Sequence, residues 1–248
     1  MPEFRDARRL QTSLLAPLEK RVLLWLAARL PWWVRSDHLT ALALAAMLLA
    51  GLSYWLARTS EAGLLLAVVF LAVNWFGDSL DGTLARVRQH QRPRYGFYVD
   101  HVVDAVGAAF LVGGLGLSGY MSLVVALVLL VAYLLILVET FLASHTLGTF
   151  TMSYVKVGPT ELRILLAVGN LAVLVHPTAE VFGRTYLLFD ISGVIATIGM
   201  VVMLTIAATK NTRTLYLAEP LPSRPADRER RPVDRQRWPL SGETLRQI

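Results

Sequence analysis

The chain has 248 residues, of which 55% are hydrophobic and 17% charged, and it carries a formal net charge of +6. Soluble domains carry about 25% charged residues, and a mean hydropathy of +0.51 therefore argues against a soluble enzyme, a nucleic-acid-binding domain or a disordered chain. There is no cysteine, which removes disulfides, thiolate metal sites and cysteine nucleophiles.

The N-terminal segment, residues 1–37, mixes charge with apolar residues. Leu14, Leu15, Leu18, Val22, Trp25, Leu26 and Leu30 recur every three or four positions, with Glu19, Lys20, Arg21 and Arg29 between them. This pattern predicts an amphipathic helix lying in the membrane interface, with Trp25, Trp32 and Trp33 at headgroup level. No short apolar core with a small-residue cleavage site follows the first charges, so no cleavable signal peptide is expected.

Charge-free runs then cover Leu39–Ala57, Ala62–Gly77, Ala105–Val138, Ile164–Ala179 and Ile191–Thr209. A helix of about 20 apolar residues crosses a bilayer. Ser36 and Asp37 look like an N-cap before a first span over 38–57. A second span begins near Glu61 and continues as helix past Asp78 towards Arg88. A third starts near Gly96. Gly113, Gly114, Gly116, Ser118 and Gly119 break the long run and leave a fourth span over 120–145. Gly158 and Pro159 open a fifth over 160–175, His176 and Pro177 end it, and a sixth covers 186–209. The expected fold is all-α: six transmembrane helices over 38–209, preceded by the interfacial helix. A polar, Pro- and Arg-rich tail over 210–248 is expected to be disordered.

Six spans place both termini on one side. Of 24 Lys and Arg, 22 fall in the N-terminal segment, the second-to-third loop, the fourth-to-fifth connection and the tail. Only Arg58 and Arg184 fall on the other side. By the positive-inside rule both termini and the 86–94 loop are cytoplasmic. The charge excess reads as topology, and no nucleic-acid partner is expected.

Four carboxylates sit where charge is costly. Asp78, Asp81, Gly82 and Ala85 occupy i, i+3, i+4 and i+7, one stripe of a helix. Asp100 and Asp104 are i and i+4 on the next. A tight helix–loop–helix turn would bring the two faces together. Four like charges at that depth need compensation, and divalent cations with oxygen ligands, Mg²⁺ or Mn²⁺, supply it. Two-metal carboxylate sites clamp phosphates and activate hydroxyls. The small Gly82 and Ala85 leave room for a ligand, and Arg86, one turn on, can hold phosphate. The residues alone point to metal-dependent phosphate chemistry at a membrane surface. A transporter of divalent metal or protons using the same acids is the rival reading, and a membrane scaffold a third; the first would place acids deep in the bilayer on broken helices.

The stretch Asp78, Asp81, Gly82, Ala85, Arg86, then nine residues, then Gly96, Asp100, Asp104 resembles the signature of the CDP-alcohol phosphatidyltransferases, D-x2-D-G-x2-A-R-x8-9-G-x3-D-x3-D, at all eight specified positions. The resemblance implies transfer of a substituted phosphate from a CDP-alcohol, usually CDP-diacylglycerol, to a hydroxyl acceptor, with release of CMP. It implies that Asp78, Asp81, Asp100 and Asp104 hold one or two divalent ions. Gly82, Ala85 and Arg86 would contact the CDP moiety, and Asp104 would be the general base for the acceptor hydroxyl. It also implies a homodimer in the membrane. With the charge asymmetry, the site is expected near the cytoplasmic face of the cell (inner) membrane. Many relatives open the first span with Pro-Asn-x-x-Thr, whereas Ser36, Asp37, His38, Leu39 and Thr40 keep only the Thr.

Weaker features remain open. Asn74, one turn before Asp78, could contact nucleotide or pack between helices. Glu139 could line the acceptor cavity or pair with Lys156 or Arg163. The segment from Lys156 to Arg163 could bind an acceptor phosphate or polyol, or simply cap a helix; its basic character favours an anionic acceptor. His101 reads as structural, and the small residues Ala105, Gly107, Ala108, Ala109 and Gly113 as close helix packing.

Overall fold

The computed structural model describes residues 8–10, 16–147, 149–151 and 159–219. Lys156, the first residues of the amphipathic pattern and the tail beyond 219 lie outside them. Among the described residues the fold is all-α, with seven helices and two short strand pairs. Five helices are long and apolar enough to cross a membrane, so the chain is a polytopic membrane protein.

Helix α1 (Ala16–Arg29) has Glu19 in its first turn and Arg29 in its last, charges that suit the helix dipole. It presents two faces. Leu23 and Ala27 are buried against Val34, Leu39, Leu80 and Leu84, while Leu18, Val22 and Trp25 are exposed, as are Trp32 and Trp33 just beyond it. The helix expected from the amphipathic pattern is therefore also docked onto the transmembrane helices.

Helices α2 (Ser36–Leu56), α3 (Ala62–Val87) and α4 (Pro93–Leu117) are the most enclosed of the five long apolar helices. Helix α2 lies along both α3 and α4. Glycine permits these approaches: a Cβ on Gly77 would sit 2.6 Å from the Leu39 carbonyl oxygen, and one on Gly114 only 2.2 Å from that of Gly51. Gly107 meets the Met47 side chain, but Gly113, also expected at a close contact, faces open space. Pro93 opens α4, where its missing N–H costs nothing, so this helix begins three residues before the expected Gly96.

Helix α5 (Leu123–Leu147) follows a turn in which the Ser122 N–H donates to Asp190 Oδ1, 2.7 Å away. Helix α6 (Pro159–Val175) packs on α3. At 17 residues it is shorter than the five long apolar helices, so among the described residues five of the expected six spans are long and apolar enough to cross a membrane. A β-hairpin that the pattern of spans did not suggest follows α6: β3 (Thr178–Val181) pairs antiparallel with β4 (Arg184–Leu187). Phe182 and Gly183 between them both have positive φ, +52° and +75°, the mark of a two-residue type I′ turn. A second short pair joins β1 (Arg8–Leu10) to β2 (Thr149–Thr151) in parallel.

Helix α7 (Leu188–Ala218) runs beyond Thr209, where the polar tail was expected to begin. The chain divides into two compact units at Asn211 and Thr212. The second unit is described only to Glu219 and is helical to Ala218.

Candidate functional site

The carboxylates come from the C-terminal half of α3 and the N-terminal half of α4. The connection is short because α3 stops sharply: Gln89 adopts φ +57°, a left-handed turn that ends the helix. Arg88 then ties this corner down. Its guanidinium donates to the carbonyls of Leu30 and Pro31 at 2.9 Å, to that of Trp32 at 3.2 Å, and to that of Val34. A residue read from sequence only as a topology charge thus fixes the α1–α2 linker to the end of α3.

The turn brings the two helix faces together. Asp78, Asp100 and Asp104 each offer a carboxylate oxygen within 4.8 Å of the others. Asp81, one turn along α3, lies outside that triplet and is held from α2. Thr40 Oγ1 donates to its Oδ2 at 2.5 Å, Ser36 Oγ donates to its backbone carbonyl, and the Gly82 N–H donates to its Oδ1. Ser36, expected as an N-cap, is instead the first residue of α2, after Arg35, and its hydroxyl serves the Asp81 segment. The one kept Thr of the first-span motif therefore touches the signature directly.

Helix α6 adds a cation. Arg163 Nη2 lies 2.6 Å from Asp78 Oδ2, and its Nε donates to Asn74 Oδ1 at 2.7 Å. Asn74 is buried and donates in turn to the Ala43 carbonyl at 3.0 Å. Its amide is thus engaged by protein on both ends, which favours the packing reading over nucleotide contact. Among the described residues, Arg163 Nη1 is buried and has no hydrogen-bond partner. The alternative pairing with Glu139 is not what forms: Glu139 accepts from Asn211 Nδ2 at 2.6 Å. The distance along the chain explains the misreading, because Asp78 and Arg163 are 85 residues apart. His101 is buried against Phe97 and Phe141, with Nδ1 2.5 Å from the Phe97 carbonyl oxygen.

These groups surround a cavity of about 760 Å³. Asp78, Asp81, Gly82, Ala85, Arg86 and Asp100 line it from α3 and α4, Thr40 from α2, and Arg163 from α6. Asp104 completes the carboxylate triplet without lining this space. The volume suits a drug-sized or nucleotide-sized ligand. At Gly82 a Cβ would meet only the Arg86 guanidinium, at 3.4 Å, and Arg86 Nη2 donates to Thr83 Oγ1 at 3.1 Å. The small residues of the stripe thus leave backbone open to the cavity. Helix α1 supplies a wall that sequence reasoning did not foresee, through Pro17, Glu19, Lys20 and Leu23. The signal present was Glu19 on the polar side of an amphipathic helix, and nothing local marks its partners.

No curated protein matches the chain significantly. The family model for CDP-alcohol phosphatidyltransferase matches residues 33–207, which takes in the carboxylate turn, the small-residue stripe and helix α6 with Arg163. The chain belongs to the CDP-alcohol phosphatidyltransferase family.

Proposed function

We propose that the protein moves a phosphatidyl group from CDP-diacylglycerol onto a hydroxyl acceptor, releasing CMP, at the cytoplasmic face of the cell membrane. The observation that carries this reading is the meeting of Asp78, Asp100 and Asp104 within 4.8 Å beside one cavity, with Asp81 held alongside by Thr40.

The donor set fits Mg²⁺ or Mn²⁺. It is made of hard carboxylate oxygens, close enough together to share an ion, and Arg163 pairs with Asp78 at one side of it. Asp78, Asp81, Asp100 and Asp104 would hold two ions. Bound there, the ions would neutralise the diphosphate and lower the cost of the departing CMP. The chain's own residues do the rest. Gly82 and Ala85 let the cytidine diphosphate approach α3, and Arg86 holds phosphate from the same stripe. Asp104 takes the proton of the acceptor hydroxyl as that oxygen attacks the lipid-bearing phosphorus. The new P–O bond forms as the bond to CMP breaks.

An anionic acceptor is favoured by Arg163, whose buried Nη1 has no hydrogen-bond partner among the described residues, at the side of the cluster facing α6. Homodimerisation and cytoplasmic termini complete the proposal, the latter on the 22-to-2 split of Lys and Arg.

The test is CMP release. Purified protein is given CDP-diacylglycerol, Mg²⁺ or Mn²⁺, and a panel of acceptors: glycerol 3-phosphate, inositol, inositol phosphate, serine. CMP release with one acceptor supports the reading. Well-folded protein that releases none with any acceptor sinks it and leaves metal or proton transport as the use of the carboxylates.

A further inference from the structure

Glu19 is the acidic residue of α1, and its carboxylate reaches two other helices. A single oxygen, Oε1, accepts from Thr160 Oγ1 at 2.7 Å, from Trp75 Nε1 at 3.0 Å and from Ser79 Oγ at 3.2 Å. Trp75 and Ser79 are i and i+4 on α3, so they share a face, and Ser79 adjoins Asp78. Thr160 is in the first turn of α6. Glu19 therefore joins three helices at the rim of the cavity it lines.

What this junction controls follows from what else holds each helix. Helices α2, α3 and α4 fix one another through their glycine contacts and through Thr40, Ser36 and Arg88. None of these reaches α6. Helix α6 meets α3 through Arg163 on Asn74 and Asp78, one turn beyond Thr160, and Asn170 further along bonds Tyr54 of α2. Among the described residues, Arg163 itself and the Glu19–Thr160 bond both tie the site end of α6.

We infer that Glu19 is a positioning residue, which holds the first turn of α6 against α3 so that Arg163 is presented to the acceptor. The effect on the acceptor rests on the transferase reading above; the placement of α6 does not. All three partners donate, so the site requires an oxygen acceptor at this point and makes little use of the second carboxylate oxygen. A glutamine keeps that acceptor and an alanine removes it.

The chain has no cysteine, which makes the placement directly measurable. Spin labels go on Val87→Cys at the end of α3 and Leu162→Cys in α6, both exposed positions, and the inter-label distance is measured by pulsed electron resonance. Otherwise unmodified protein and Glu19→Gln should give the same narrow distribution, and Glu19→Ala a broader one. An unchanged distribution in Glu19→Ala overturns the inference. On the unlabelled proteins, Glu19→Ala should raise the acceptor KM about tenfold or more while the CDP-diacylglycerol KM moves less than about threefold, with Glu19→Gln close to wild type. Equal damage by Gln and Ala would assign a role to the charge instead and overturn it, as would both KM values rising together. If the wild type releases no CMP while the distances respond as expected, the transferase reading falls and the positioning role stands.

Discussion

Arg163 and Asp78 form an ion pair at 2.6 Å, each mostly enclosed, across 85 residues of sequence. The pair sets a cation inside the carboxylate cluster. Its fork is split between Asp78 and Asn74, a geometry that a lysine cannot reproduce. Arg163→Lys should therefore lower kcat/KM about 10- to 100-fold, expressed mainly in the acceptor KM. Steady-state CMP release with the acceptor varied checks this, and a change confined to the CDP-diacylglycerol KM would contradict it.

Asp104→Asn separates proton transfer from binding. Asparagine keeps the shape but cannot take the hydroxyl proton. Turnover should fall by at least about 10²-fold, with CDP-diacylglycerol binding nearly retained. Competition with a labelled CDP-alcohol measures binding without turnover. Equal loss of both would reduce Asp104 to a ligand role.

Thr40 tests the support of Asp81. Its hydroxyl donates at 2.5 Å to Asp81 Oδ2. Removing such an outer hydrogen bond weakens metal affinity about 10- to 100-fold. Thr40→Val should shift the Mg²⁺ concentration for half-maximal CMP release upward by about tenfold, and Thr40→Ser should not. Identical Mg²⁺ curves for wild type and Thr40→Val would show that Asp81 is not a ligand.

Two glycines should fail in different ways. A Cβ at Gly82 meets only the Arg86 guanidinium, the movable end of a long side chain, whereas one at Gly114 meets Gly51 backbone. Gly114→Ala should lower stability by about 1–3 kcal/mol, visible as a lower melting temperature in detergent. Gly82→Ala should melt like wild type and bind CDP-alcohol more weakly. The reverse assignment would mean that Gly82 packs and Gly114 does not.

The carboxylate cluster was more legible than the support around it. Asp78, Asp81, Asp100 and Asp104 could be found because helical periodicity is local: i, i+3 and i, i+4 state which residues share a face before any tertiary contact is known. Glu19 could not be read this way. Its partners lie 56, 60 and 141 residues away, and no local pattern distinguishes a docked glutamate from a solvated one. Arg163 was visible as a candidate, but its choice of Asp78 over Glu139 depends on which helix α6 packs against.

The hairpin between α6 and α7 shows a different failure. Strands of four residues barely rise above the apolar runs beside them, and a search for spans passes over them. Gly183 was the available signal, since a two-residue turn with positive φ at both positions favours glycine at the second. Helix α4 starts three residues before Gly96 because Pro93 is the better helix opener.

The spans are unequally enclosed: α2 and α3 are the most buried, and α5 and α7 the least. That inequality sets where mutation can accumulate. In α5 and α7 few positions are buried, so one apolar residue can replace another at little cost. Along the contacts of α2 with α3 and α4, each change meets backbone. Homologues should therefore diverge fastest on the exposed positions of α5 and α7, and a saturation scan of the chain should find these two helices more tolerant than α2, α3 and α4.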